Sequence, residues 1–402
     1  MMIGDEMKKI VLIIVVMFMI SVLYIIQDKE KLENGSDREG DDRLVNHDEV
    51  RAFYFSYLEL EEYFMSSSDT VAKRNIDNII SNMVSDNFNL LILQVRPFSD
   101  SIYPSKIFPI SKYIGNISFD VLDYFIEKAH SVGIKVHAWI NPYRISSNKN
   151  FIIKENHPAY SFLNTNHIAV LDSGVYYNPA SSLVTSLIVS GVEEIVSNYD
   201  VDGIHFDDYF YPNGDVDSEN YALYKGSGGT LSLKEYRLLN IKNMLSSVYT
   251  AIKEIDDKVV FGISPQGNID NNYSSVYLDV KSILSTSGYV DYIMPQIYFG
   301  FDNSSKPFKD TILEWNNLIK VSSIDLIPAL ALYKSGNTDK YAGNGSNEWI
   351  NNSDILKRQI IYSRTVSNYS GFAIFRYDFF YNDDKQNINM ISEVNNIRSI
   401  IN

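Results

Sequence analysis

The sequence predicts an α/β chain built as a single (β/α)8 TIM barrel with long loops after its strands, preceded by an N-terminal transmembrane helix and a disordered tether. Three observations carry this expectation. Eight apolar runs of strand length recur after residue 50, separated by segments of helical periodicity, and strand–helix alternation of that kind makes a parallel sheet. The runs are almost continuous in apolar residues, as strands covered on both faces are. Nearly every run ends in a polar or aromatic side chain, and a barrel of parallel strands gathers such ends at one rim.

In chain order, residues 10–26 are apolar apart from Ser21 and Tyr24, with Lys8 and Lys9 before them and a charged stretch after. The run sits at the short limit for a spanning helix, is slightly long for the core of a signal peptide, and no small-x-small cleavage site follows it. An uncleaved anchor with the barrel outside the cytoplasm is expected, a cleaved signal with secretion being the alternative. Residues 27–49 are dense in charge and nearly free of large apolar side chains, which predicts a solvated tether and a barrel over 50–402. The chain has no cysteine, which agrees with export from the cytoplasm. Its 45% hydrophobic and 21% charged residues are those of a globular protein, and its net charge of -15 disfavours nucleic acid as a partner. The barrel is expected to act as a monomer.

The predicted strands are residues 51–57, 90–96, 134–141, 202–208, 259–265, 292–298, 326–333 and 371–377. Between them, residues 71–86 place Ile76, Ile79, Ile80 and Met83 on one helical stripe. Residues 119–133 do the same with Val121, Leu122, Phe125, Ile126 and Ala129, with Gly133 closing the helix. A doubly wound open sheet is the runner-up, but the glycine-rich phosphate loop of its nucleotide-binding versions is missing. Long segments follow the third, fourth and seventh strands, as loops that build clefts do. One of them, residues 213–220, contains Asp215 and Asp217 but lacks the ligand spacing of a calcium loop. It predicts a solvated loop.

The stretch Asp202 to Pro212, DGIHFDDYFYP, brings a histidine and two adjacent carboxylates out of an apolar strand. Strand alternation sends His205 and Asp207 to one face and Ile204, Phe206 and Asp208 to the other. The other strand ends add Gln94 and Arg96, then Asp100 and Tyr103; His137, Trp139, Asn141 and Arg144; Ser264 and Gln266; Gln296 and Tyr298; Tyr333; Arg376 and Asp378. Carboxylates, amides, imidazole and guanidinium beside aromatic rings have the makeup of a sugar site. Glycoside cleavage needs a proton donor and a second carboxylate. Asp207 is the first choice for the essential acid, with His205 expected to tune its proton affinity. Asp208 is the adjacent partner, and Asp100 and Asp378 compete with it; a 2-acetamido group of the substrate would be a further alternative. No cofactor or metal is expected, since the six histidines include no HExxH or paired-ligand spacing, and Ser-His-Asp chemistry lacks its GxSxG elbow.

Five stretches together carry a resemblance: QVRPFSDSIYPS (94–105), AHSVGIKVHAWINPYR (129–144), NYDVDGIHFDDYFYP (198–212), GISPQGN (262–268) and VDYIMPQIYFGF (290–301). In this order they resemble the glycosyl hydrolase-like 10 family, over essentially Val50 to Tyr377. The resemblance implies a TIM-barrel glycosidase of the bacterial envelope, with a cell-wall polysaccharide as substrate, peptidoglycan glycan strands that have lost their stem peptides foremost. It carries over Asp100, His137, Asn141, Arg144, Asp207, Asp208, Gln296 and Tyr298 as motif positions. The ending FRYDFF departs from the pattern at Asp378. Tyr209 stands where a chitinase motif would place its catalytic glutamate, so that assignment fails.

Overall fold

Each of the eight apolar runs supplies a strand: Val50–Phe55, Leu90–Arg96, Lys135–Ile140, Gly203–Phe206, Val260–Ile263, Tyr292–Ile293, a divided seventh, and Gly371–Phe375. The structure is a computed structural model that describes residues 49–401. The expected anchor at residues 10–26 and nearly all of the tether lie outside the described residues. Among the described residues no helix is long and apolar enough to cross a membrane.

The strands pair in parallel, each with its sequence neighbour, and the eighth pairs with the first. The seventh run breaks into Asp325–Leu326, which pairs with the sixth strand, and Ala329–Ala331, which pairs with the eighth. Pro328 lies between the two pieces and has no N–H for a ladder. The sheet is therefore curled, and its two edges are pieces of one segment.

A helix follows every strand and covers its outer face; those after the first four are Asp69–Ser85, Val121–His130, Ser182–Asn198 and Leu233–Ile255. Ser68, Asp120, Ser181 and Ser232 cap their N-termini with side-chain acceptors. Both predicted helical stripes are buried. Phe53, Phe55, Leu91, Leu93, Ile204 and Phe206 fill the layer between sheet and helices, each stabilising the fold by about 1.5–3 kcal/mol. The opposite parity, with Tyr54, His137 and His205, turns inward.

Two segments depart from the expectation. The long connection after the third strand folds into a small antiparallel sheet of Arg144–Ser146, Gly174–Tyr177 and Ile168–Leu171, with the middle one in sequence at the edge. The loop at 213–220 is not simply solvated. Asp217 is buried, ion-paired to Arg237 at 2.5 Å and hydrogen-bonded by the Tyr211 hydroxyl at 2.6 Å.

Two glycines open the interior for large polar rings. A Cβ on Gly262 would stand 2.1 Å from the Tyr292 ring, and one on Gly203 would stand 2.8 Å from the His137 ring. Tyr292 cannot step aside, because its hydroxyl is held at both sides by histidines. Gly262→Ala is therefore expected to lose about 1–3 kcal/mol by overpacking, measured by urea unfolding of the full chain. An unchanged midpoint would show that the ring can move.

Candidate active site

Beneath the rim lies a hydrogen-bonded chain of five side chains. The Tyr292 hydroxyl is 2.9 Å from His137 Nδ1 and 2.8 Å from His205 Nδ1; His205 Nε2 is 3.2 Å from the Tyr54 hydroxyl, which donates to Ser264 Oγ at 2.8 Å. One donation fixes the rest. With the Tyr54 proton on Ser264, His205 Nε2–H donates to Tyr54, Tyr292 donates to His205 Nδ1, and His137 Nδ1–H donates to Tyr292. Every bond of this chain is then made with both imidazoles neutral. Burial favours that state: it lowers the His137 pKa to about 4 and that of His205 well below the usual range.

On this floor stands Asp207, 3% exposed. Its Oδ2 accepts from Trp139 Nε1 at 3.0 Å and from Asn141 Nδ2 at 3.4 Å, and its Oδ1 accepts from the Tyr209 amide at 3.4 Å. Burial, reinforced by the Asp208 charge, pushes its pKa up to about 7, and Arg144 and Trp139 only partly oppose that. The carboxyl is thus poised to hold and release a proton near neutrality. Asp208 lies in the same cavity, its pKa also raised by burial but opposed by hydrogen bonds from Gln296 and Gln266. Strand alternation predicted the opposite face for it. The strand ends at Phe206, so the alternation no longer binds the chain two residues later.

The cavity, about 310 Å³, is walled by Tyr54, Tyr57, Trp139, Tyr209, Tyr298 and Phe375 around the two carboxylates. Gln94, Arg144 and Gln296 also reach it, and Gln296 and Tyr298 are shared with a neighbouring cavity of about 330 Å³ that Gln266 lines. The Arg144 guanidinium lies close to both Phe98 and Tyr209, 4.4 and 4.6 Å from their ring centres. Among the described residues no cluster of ligating side chains suited to a metal is present.

The remaining predicted residues lie elsewhere. His137, His205 and Ser264 form the floor rather than the wall, and His205 bonds to Tyr54 and Tyr292 instead of to Asp207. Tyr333 packs behind Phe375 and Tyr298. Arg96 turns away because the second strand shifts register between Gln94 and Arg96; it packs over Phe108, against Gly191 of the helix Ser182–Asn198. Tyr103 is on that side as well, 5.3 Å from Tyr199 between ring centres. Asp378 is fully buried and ion-paired with Arg376 and Lys385, and Arg376 also pairs with Glu59. Asp100 faces a separate cavity. Sequence reasoning missed Tyr54, Tyr57, Tyr292 and Phe375. Tyr54 was legible as the inward parity of RAFYFSY, the others were not.

The sequence pattern of the glycosyl hydrolase-like 10 family matches residues 50–344, and the chain belongs to that family. It is 32% identical over 322 residues to the glycosyl hydrolase DigH of Escherichia coli K12, covering 72% of each chain. To the glycosyl hydrolase YngK of Bacillus subtilis 168 it is 30% identical over 292 residues, 66% of this chain and 56% of that one. The chain thus spans little more than half the length of the Bacillus relative. In fold it is similar to the PgaB (BpsB) glycoside hydrolase domain of Bordetella bronchiseptica, with a TM-score of 0.56 at 14% identity over 86% of this chain and 97% of that one. An α-L-fucosidase of Paenibacillus thiaminolyticus gives 0.54 at 13% identity, over 88% and 49% respectively.

Asp207 also sets a pH dependence of stability. Its pKa is about 7 in the folded chain, against the roughly 3.9 of an unfolded aspartate. The folded state binds the proton more tightly, so stability from this group is full below the unfolded value and is lost as pH rises toward about 7. Asp207→Asn cannot ionise. It is expected to melt higher than the unmutated chain at about pH 8 and nearly level with it at about pH 4; an equal difference at both would show that the carboxyl is not held protonated.

Proposed function

We propose that the protein is a glycoside hydrolase that cleaves N-acetylhexosamine-containing glycan, with peptidoglycan strands lacking stem peptides as its first substrate. The observation that carries this is the Asp207 carboxyl, buried in an aromatic cavity beside a second carboxylate and raised to about 7. An acid of that pKa can protonate the leaving glycosidic oxygen at neutral pH, which an ordinary aspartate cannot. Asp208, held by amide donors and facing Arg144, is the partner carboxyl group for the developing positive charge at the anomeric carbon. Tyr57, Tyr209 and Tyr298 offer flat apolar faces to pyranose CH groups, and Gln94 and Gln296 offer amides to the hydroxyls.

We read the scaffold as a complete eight-stranded (β/α)8 barrel, a reading supported by the two sheet edges being pieces of the single segment 325–331. The expected anchor at residues 10–26 would hold this barrel outside the cytoplasm, beside the wall polymer.

The full chain is to be incubated with stem-peptide-free glycan strands, and strand length followed by chromatography. Shortening is expected, with Asp207→Asn at least about a hundredfold slower and with activity of the unmutated chain falling as pH rises past about 7. Strands bound but left at full length by the unmutated chain would replace the enzyme reading with that of a carbohydrate-binding barrel. Equal cleavage by Asp207→Asn would retain the enzyme and discard Asp207 as its acid.

A further inference from the structure

We propose that a second cavity, about 690 Å³ and reached across Phe98 from the carboxylate pair, is a glycan subsite for a sugar residue that carries a carboxylate. This rests on the glycan reading of the central cavity. In a strand freed of its stem peptide the carboxylate is that of the lactyl ether.

The two cavities share a wall. The Arg144 guanidinium lies 4.6 Å from the ring centre of Tyr209 of the central cavity and 4.4 Å from that of Phe98 of the second. Tyr57 of the central cavity lies 5.2 Å from both Phe98 and Tyr113 of the second, between ring centres. A polymer crossing this ridge therefore passes from the carboxylates onto a continuous aromatic surface.

The lining fits an anionic sugar. Lys112 and Lys154 border the second cavity, both exposed, and neither forms an ion pair among the described residues. Lys112 also lies 4.8 Å from the Tyr113 ring centre and acts on Asp100, and the two lysines bring positive charge to one cavity of a chain whose net charge is -15. His157 lines the cavity with its ring. It is 6% exposed, its Nδ1 accepts the Ala159 amide at 3.1 Å, and its Nε2 is buried without a partner. With Nδ1 accepting, Nε2 of the neutral ring carries the hydrogen. That hydrogen is closed off from the cavity surface, so the charge of the two lysines, not this ring, carries the reading. Asn148 and Asn156 supply amides for hydroxyl groups. The opposing charge is Asp100, which faces the same cavity. It is engaged by the Phe98 amide at 3.0 Å and by the Ser111 side chain, and burial raises its pKa toward the neutral form.

The test measures binding, so that it does not depend on turnover. Full-length Asp207→Asn chain is titrated by calorimetry with stem-peptide-free strands and with the same strands after conversion of their carboxylates to methylamides. The carboxylate strands are expected to bind about tenfold more tightly at low salt. Adding Lys112→Ala and Lys154→Ala is expected to bring that ratio near one, whereas Lys112→Arg with Lys154→Arg keeps it. Equal affinity for the two strands, or a ratio that survives the double alanine change, overturns the subsite. Absence of binding to either strand overturns the glycan reading and the subsite with it, an outcome distinct from equal binding.

Discussion

A polar side chain pointing into the middle of a curled parallel sheet meets no water, and every such group must find its partner inside. Here the requirement is met by one hydroxyl. Tyr292 comes from the sixth strand and bonds to a histidine of the third and a histidine of the fourth. Tyr54 of the first strand extends the chain to Ser264, beyond the fifth. Five elements of the sheet are thus joined at one level by groups that are neutral when fully paired. Gly203 and Gly262 belong to the same device, since any side chain there would occupy the space of the rings.

The neutrality of this floor decides the chemistry above it. A protonated His205 below Asp207 would favour the carboxylate and hold its pKa down. With both nitrogens committed to tyrosines and burial lowering its pKa, His205 supplies no such charge. Asp207 is left with two side-chain N–H donors and an amide, too little to offset burial and the neighbouring Asp208. Asp208 meets Gln266 and Gln296 instead. Two adjacent carboxyl groups, both raised by burial, thereby gain different hydrogen-bond partners.

Much of this was legible from the sequence, because strands buried on both faces write themselves as apolar runs and their inward parity as a polar ladder. His137, Trp139, His205 and Asp207 follow from that rule and lie where it puts them. The failures share a cause: the rule holds only while the strand does. Arg96 is one residue beyond a register shift, and a single extra residue sends it to the helical face. Asp208 is past the last paired residue, so its direction belongs to the turn. Tyr292 was passed over for the opposite reason, standing at the start of its strand, where no rim residue was sought. Arg376 and Asp378 follow the eighth strand, which ends at Phe375, and they pair with Glu59 and Lys385. Glu59 is fully buried at the helix that follows the first strand. A polar strand end is equally suited to joining the first and last elements and to binding substrate, and only the partner distinguishes the two.

The division between strands and loops extends to what each can recognise. The groups placed to act on a bond stand at strand ends, fixed by the sheet and its interior chain. The groups that would select one sugar polymer over another come from connections: Phe98 and Asp100 after the second strand, Lys112 and Tyr113 further along, and Asn148 to His157 within the long segment after the third. On the other flank, Asn268 and the exposed Tyr341 come from the segments after the fifth and seventh strands. Loops change at little cost to the core, whereas a changed strand end disturbs the packed interior. On the proposed reading, the proton chemistry would rest on groups fixed by the sheet, and the charge and length of a glycan would be read by groups on the loops. Arg144 joins the two, since it stands at the first residue of the inserted small sheet, stacks on loop residue Phe98, and faces both carboxylates. A shift of that loop would move a positive charge relative to Asp207 and so alter its proton affinity, which on the proposed reading would couple what the loops bind to the readiness of the acid.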